Sequence, residues 1–165
     1  MDHSELMVKM ALAGWNTQIS RAAQTFDAFS DADFQQQVSP GKNRIIYLYG
    51  HLASYHDALK ETLGIGKRHR PELHAPFLQN PDDLQAVMPS VAELREFWNS
   101  IHLELEELFA SLSAEDWFKR HNAMSDADFE KDPSRNRLSV LLNRTNHVTY
   151  HLGQVKLVKP ELLKP

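Results

Sequence analysis

His147 and His151 stand four residues apart in the run Asn146-His147-Val148-Thr149-Tyr150-His151-Leu152-Gly153-Gln154, and His51 stands in Tyr49-Gly50-His51-Leu52-Ala53-Ser54-Tyr55. Residues i and i+4 stack on one face of an α-helix, so each ring of such a pair can turn a nitrogen toward one point. A third imidazole from a neighbouring helix completes a set of three nitrogen donors. Three protein ligands leave a coordination position open, the pattern of catalytic rather than closed structural metal sites. An ion held this way can lower the pKa of bound water toward ~7, or favour the thiolate of a bound thiol. Neither role needs a cysteine from the protein, and the chain has none. Imidazoles ligate only when neutral, so metal affinity is expected to fall as the pH drops through ~6.

The elements that must position these rings are helical. Apolar residues recur at helical spacing in four segments. The first runs from about Ser4 to Phe26, with Met7, Ala11, Gly14, Trp15, Ala22 and Phe26 on one face. The second runs from about Asn43 to Leu63, after a Pro40-Gly41 breaker and before Gly64 and Gly66. The third starts at Ser90, where Ser90 and Glu93 have capping-box spacing, and continues through Val91, Leu94, Trp98, Ile101, Leu105, Leu108 and Leu112. The fourth runs from about Arg137 to Val158 and stops at Pro160. No long segment alternates with period two. The pattern predicts an all-α fold, a four-helix bundle in a single domain over residues 1–165. The Gly64–Pro89 link is long, carries four prolines including Pro89, and suits a crossover between the second and third helices.

Helical angles then sort the candidates. His51 lies within the apolar arc of Ile45, Tyr47, Leu48, Leu52, Tyr55, Ala58, Leu59 and Leu63, whereas Ser54, Asp57, Lys60 and Glu61 fall outside it. An imidazole inside the bundle needs a partner. His147 and His151 sit at the edge of the arc formed by Val140, Leu141, Val148, Leu152, Val155 and Val158, continuing a polar stripe of Asn143 and Gln154. His56 lies just past the arc of the second helix and His102 at the margin of the third; His3, His69, His74 and His121 fall in termini or loops. Asn143, Gln154, Tyr55 and Tyr47 are candidates to orient the ligand rings. Arg144 falls between the His pair and the apolar arc, where it either snorkels to the bundle end or holds an anionic substrate group. Gln18 interrupts the apolar face of the first helix, as an edge residue or a partner of the site. No carboxylate is placed as a general base.

Composition narrows the classes. The chain has 165 residues, 42% hydrophobic and 24% charged, which suffices for one sizeable core. A formal charge of −4 and a pI near 6.1 argue against a nucleic-acid-binding surface. The one basic cluster, Lys67-Arg68-His69-Arg70, reads as a solvated loop. The N-terminus lacks the cationic stretch of a signal peptide, and no apolar run approaches the ~18 residues of a membrane span. With the lack of cysteine, this points to a cytoplasmic protein. The Glu-x-x-His motifs of di-iron carboxylate bundles are absent. Arg144 and His151 have the spacing of an α-bundle RNase, but the acidic balance and His51 argue against that class.

The chain also carries a faint internal repeat. Phe29-Ser30-Asp31-Ala32-Asp33-Phe34 and Leu112-Ser113-Ala114-Glu115-Asp116-Trp117 each read as a Ser cap, an acidic first turn and an aromatic, and each precedes a His-bearing helix. Aligning His51 with His147 pairs Leu52 with Val148, Leu59 with Val155, Lys60 with Lys156 and Tyr55 with His151.

Taken with these features, Ser39-Pro40-Gly41-Lys42-Asn43 before the second helix, Gly50-His51-Leu52 within it and His147-x-x-x-His151-Leu152-Gly153-Gln154 in the fourth resemble the DinB-like (YfiT-type) superfamily of metal-dependent four-helix bundles. The resemblance spans nearly the whole chain. It implies a divalent metal such as nickel, zinc, iron or manganese on His51, His147 and His151, and it implies a homodimer. Some relatives are thiol S-transferases or isomerases using bacillithiol or mycothiol. The resemblance therefore implies a metal-dependent enzyme of the hydrolase or thiol S-transferase class, acting on a small molecule, with a low-molecular-weight thiol as a candidate partner. The alternative is a non-catalytic bundle, a metal-stabilised or ligand-binding dimer. The 126–134 insertion and the Pro-containing loop would shape the substrate pocket.

Overall fold

The computed structural model describes residues 2–159. Among them the α-helices are α1 (His3–Asp27), α2 (Ile45–Leu63), α3 (Val91–Ser111), α4 (Ala114–Trp117), α5 (Asp126–Lys131) and α6 (Arg137–Lys156). No strand forms among the described residues; antiparallel pairing is limited to isolated bridges at Gln37–Arg44 and Arg120–Asn136. The four long helices α1, α2, α3 and α6 make the bundle that the periodicity predicts. The expected stop of the last one at Pro160 lies outside the described residues.

Local signals fix the helix ends. Asp2 and Glu5 form a reciprocal capping box at α1, and Ser90 and Glu93 form the expected one at α3. The Asn136 side chain accepts the Ser139 N–H at the start of α6. Helix α2 ends at Gly64, whose φ of 69° is the left-handed conformation that glycine adopts without strain.

Ring and charge contacts give the helix directions. Tyr49 meets Trp98, His56 meets His102 and Lys60 meets Glu104, so α2 and α3 run parallel. Phe26 meets Tyr49 and Trp15 meets His56, so α1 is antiparallel to α2. A parallel α2–α3 pair needs its chain to return from one end to the other, which is the work of the crossover from Gly64 to Pro89. The crossover contains a 3₁₀ turn at Pro71–Leu73 and a π-helical turn at Ala75–Gln79.

Helix α2 departs from the sequence reading. Ser54, Asp57 and Lys60, expected outside the apolar arc, are buried; of the four polar residues placed there only Glu61 is exposed. The reason is that α2 lies at the centre, covered by α1, α3, α6 and the crossover, so it has almost no outer face. Its charges are paired instead. Lys60, with no exposed surface, reaches Asp57 at 3.0 Å and Glu104 at 2.6 Å, while Asp57 accepts the backbone N–H groups of His69 and Arg70. The basic cluster is thus anchored rather than free: Arg68 and Arg70 also pair with Glu61 and Glu72. At the other end of the crossover, Asp82 takes the backbone N–H of Arg44 at 2.7 Å and its guanidinium at 2.7 Å.

Two smaller corrections concern the core. Met7 is exposed, together with Leu6 and Met10, because the inward stripe of α1 runs through Val8, Ala11 and Trp15. On α3, Phe97 and Phe109 take up core volume, while Leu108 and Leu112 are half-buried.

The repeat is real in the connections. Ser30–Asp33 and Ser113–Asp116 cap their turns alike, and the aromatics that follow, Phe34 and Trp117, are fully buried. Ile45 N–H bonds to Gln36 and Arg137 N–H to Lys119, so the two helix starts correspond. That register sets Tyr55, not His51, level with His147, one turn away from the sequence alignment.

Candidate metal centre

His51 comes from α2 and the pair His147 and His151 from α6, and the fold brings the three rings together. His51 Nε2 lies 3.2 Å from His147 Nε2, and His151 Nε2 lies 2.9 Å from the same atom. One ring nitrogen of each lies within 4.8 Å of the others. Nitrogens bound at about 2.0–2.1 Å to one tetrahedral ion would be about 3.3 Å apart.

The outward nitrogens decide the chemistry of the inward ones. His51 Nδ1 lies 2.7 Å from the carbonyl of Phe77, in the π-helical turn of the crossover. A carbonyl only accepts, so Nδ1 carries the proton and Nε2 keeps its lone pair. His151 Nδ1 donates in the same way to Gln154 Oε1 at 2.9 Å. Two lone pairs then face His147 Nε2, which as an N–H could serve only one of them. A cation among the three Nε2 atoms serves all three. The donor set therefore fits a divalent ion held by nitrogen, with Phe77 and Gln154 orienting two of its ligands.

Electrostatics keep the rings neutral. Burial pushes His147 down to about 3, helped by the charges of His151, His51 and Arg144. Burial also lowers His51, opposed by its bond to Phe77, and lowers His151, opposed by Gln154. Neutral imidazoles at pH 7 have the lone pairs that ligation needs.

The other expected residues divide. Gln154 orients His151. Tyr47 stacks on His51 with centroids 5.9 Å apart, and its hydroxyl donates to Asn80 O at 2.7 Å, so it braces the crossover. Tyr55 packs against both His51 and His147, at 4.8 and 5.0 Å. Arg144 lies with its guanidinium 4.4 Å from the centre of the Tyr55 ring. Asn143 is exposed and has no hydrogen bond to the three histidines among the described residues, and the half-buried Gln18 has none either.

Two features escaped the sequence reading. The Phe77 carbonyl is backbone from a distant loop, and no residue pattern marks it. His56 is fully buried and bonds through Nδ1 to His102 Nε2 at 2.9 Å, while His102 Nδ1 donates to Trp98 O at 2.7 Å. Trp15 and Trp98 enclose this pair. The i,i+4 spacing of Trp98 and His102 was the available signal that His102 faces inward.

The sequence model of a family described as the DinB superfamily matches residues 15–155, a span that includes all three histidines. Among solved structures, the chain is similar to one described as the conserved protein of a locus from Enterococcus faecalis. The identity is 15%, with 96% of this chain and 98% of that chain covered, and the TM-score is 0.65. At that identity the likeness speaks for the fold. No match was found among the curated proteins.

Proposed function

The chain belongs to the DinB superfamily, and from that premise we propose that it is a metal-dependent enzyme, of the hydrolase or thiol S-transferase class, whose divalent ion sits on His51, His147 and His151. Superfamily membership and the histidine cluster fit metal binding. The observation that carries the reading is the convergence of the three Nε2 atoms with two of the opposite nitrogens already tied off. When bound, the ion supplies Lewis acidity, which makes hydroxide or a thiolate available at neutral pH. The protein holds the three imidazoles neutral and oriented, and Tyr55 and Tyr47 wall His51 with aromatic surface. An all-imidazole set suits zinc, nickel or iron better than the hard ions that select oxygen.

Elemental analysis of freshly purified protein, beside His51→Ala, His147→Ala and His151→Ala, tests the reading. Close to one metal per chain in the wild type, lost in each folded variant, is the expected result. A metal-free protein that binds no divalent ion in titration ends it.

The alternative is a non-catalytic bundle, a metal-stabilised or ligand-binding dimer, and one observation favours the dimer that both readings share. Leu6, Met7, Met10 and Leu142 are exposed along α1 and α6 around a groove of about 510 Å³. We place the second copy of a homodimer on this face. Sedimentation of the wild type and of Met10→Asp separates dimer from monomer. Turnover in a panel of thiols and electrophiles separates enzyme from binder.

A further inference from the structure

Arg144 lies over Tyr55, and Tyr55 packs against two of the three proposed ligands. The same arginine lines a groove of about 390 Å³ with Thr62, His121, Arg135, Ser139 and Asn143. No carboxylate lines this groove among the described residues. Neither arginine has an ion-pair partner among them. Arg135 lies in the field of Asp128, but that carboxylate is already engaged by Ser125 and Lys131. His121 is buried, and its Nδ1 has no hydrogen-bond partner. The groove thus gathers two guanidinium groups, a free amide and an unmatched ring nitrogen, with no counter-charge.

A half-buried guanidinium without a counter-charge is costly, and burial pulls Arg144 below the usual arginine range. An arginine that only snorkelled would extend its head into water. Arg144 instead folds over an aromatic ring that also touches His51 and His147, and its charge is felt at both.

We propose that this groove binds the anionic group of a small molecule, a carboxylate or a phosphate, through Arg144 and Arg135, and that the other end of the molecule reaches past Tyr55 to the histidine centre. The second half rests on the metal-centre reading; the anion site stands without it. Asn143 supplies an additional donor, and planar oxygen pairs match the guanidinium fork.

The test titrates the metal-free, ¹⁵N-labelled full chain with succinate and, separately, with inorganic phosphate at constant ionic strength, with chloride as control. Saturable amide shifts at Asn143, Arg144, Thr62 and His121 with either probe are expected, and which probe binds identifies the anion. Affinity should fall about tenfold or more in Arg144→Gln, the loss of a charge-assisted pair, and be partly kept in Arg144→Lys, with melting temperatures confirming the folds. Shifts no different from those with chloride, or an unchanged Kd in Arg144→Gln, overturn the site. Zinc affinity is measured on the same samples. Anion binding without zinc binding defeats the metal reading alone, and zinc binding without anion binding defeats the groove alone. In the cobalt-loaded protein, faster relaxation of the bound succinate protons supports the reach to the centre, and its absence overturns that half.

Discussion

Gly50 and Phe77 are in such close contact that a methyl group on Gly50 would sit 2.3 Å from the Phe77 ring. The next residue after Gly50 is His51, whose Nδ1–H is taken by the Phe77 carbonyl. One crossover residue therefore packs on the helix and orients the ligand beside the packing point. Gly50→Ala should displace Phe77 and cost about 1–3 kcal/mol, the usual penalty of overpacking. Because Phe77 carries the acceptor, metal affinity should fall as well, by about 10–100-fold as for lost outer-shell partners. Urea unfolding with a competitive zinc titration checks both; a stable variant with full affinity would refute the coupling.

Gln154 offers a milder probe of the same kind. It sits on the surface side of α6, half-buried, and its amide oxygen holds His151. Gln154→Leu should leave the fold intact and weaken metal binding by about tenfold or more, whereas Gln154→Glu should retain affinity, because a carboxylate accepts the same N–H. Equal affinities for all three proteins would show that Gln154 does not orient the ring.

Lys60 tests the buried charges. Removing the ammonium leaves Asp57, which is itself buried, with only two backbone N–H groups. Lys60→Met should lower stability by about 3 kcal/mol, since breaking a buried pair strands the remaining charge. Glu104→Gln, at the more exposed partner, should cost less. Urea midpoints of the three proteins decide; a Lys60→Met variant as stable as the wild type would mean that Asp57 needs no counter-charge.

Acid should destabilise the metal-free protein before its carboxylates titrate. His56 is held well below the ordinary value of 6.5 by burial and then by the charge of His102, and burial brings His102 to about 4. In the unfolded chain both take up protons as the pH falls below 6.5, while the fold keeps them neutral. The unfolded state then binds more protons, so stability is complete above about 6.5 and is lost progressively toward about 4. Asp33, whose pKa the fold lowers to about 2, titrates below this window. Urea midpoints that stay flat from pH 7 to pH 5 would contradict the burial of this pair.

The sequence carried the bundle and the triad because both depend on helical period. The His147 and His151 pair follows from i,i+4 spacing and His51 from its place inside the apolar arc of the second helix, and the family resemblance joins the three into one ligand set. What stayed hidden depends on neighbours. Asp57 and Lys60 look solvated on a helical wheel, and only the packing of the crossover and α3 onto α2 encloses them. His56 looks peripheral for the same reason. The carbonyl of Phe77 is invisible in principle, because any residue brings one. Arg144 was legible as an oddity, but its lack of a carboxylate partner required the positions of α2, α6 and the loop before Arg137.

His51 and His147 are 96 positions apart, and their ring nitrogens meet at 3.2 Å. An ion shared between them would act on this cysteine-free chain as a reversible crosslink, closing a loop that contains the crossover, α3, α4 and α5. The three rings meet only in the folded chain, so the binding free energy of an ion there would add to the free energy of folding. The site would then serve the chain's persistence as well as its chemistry.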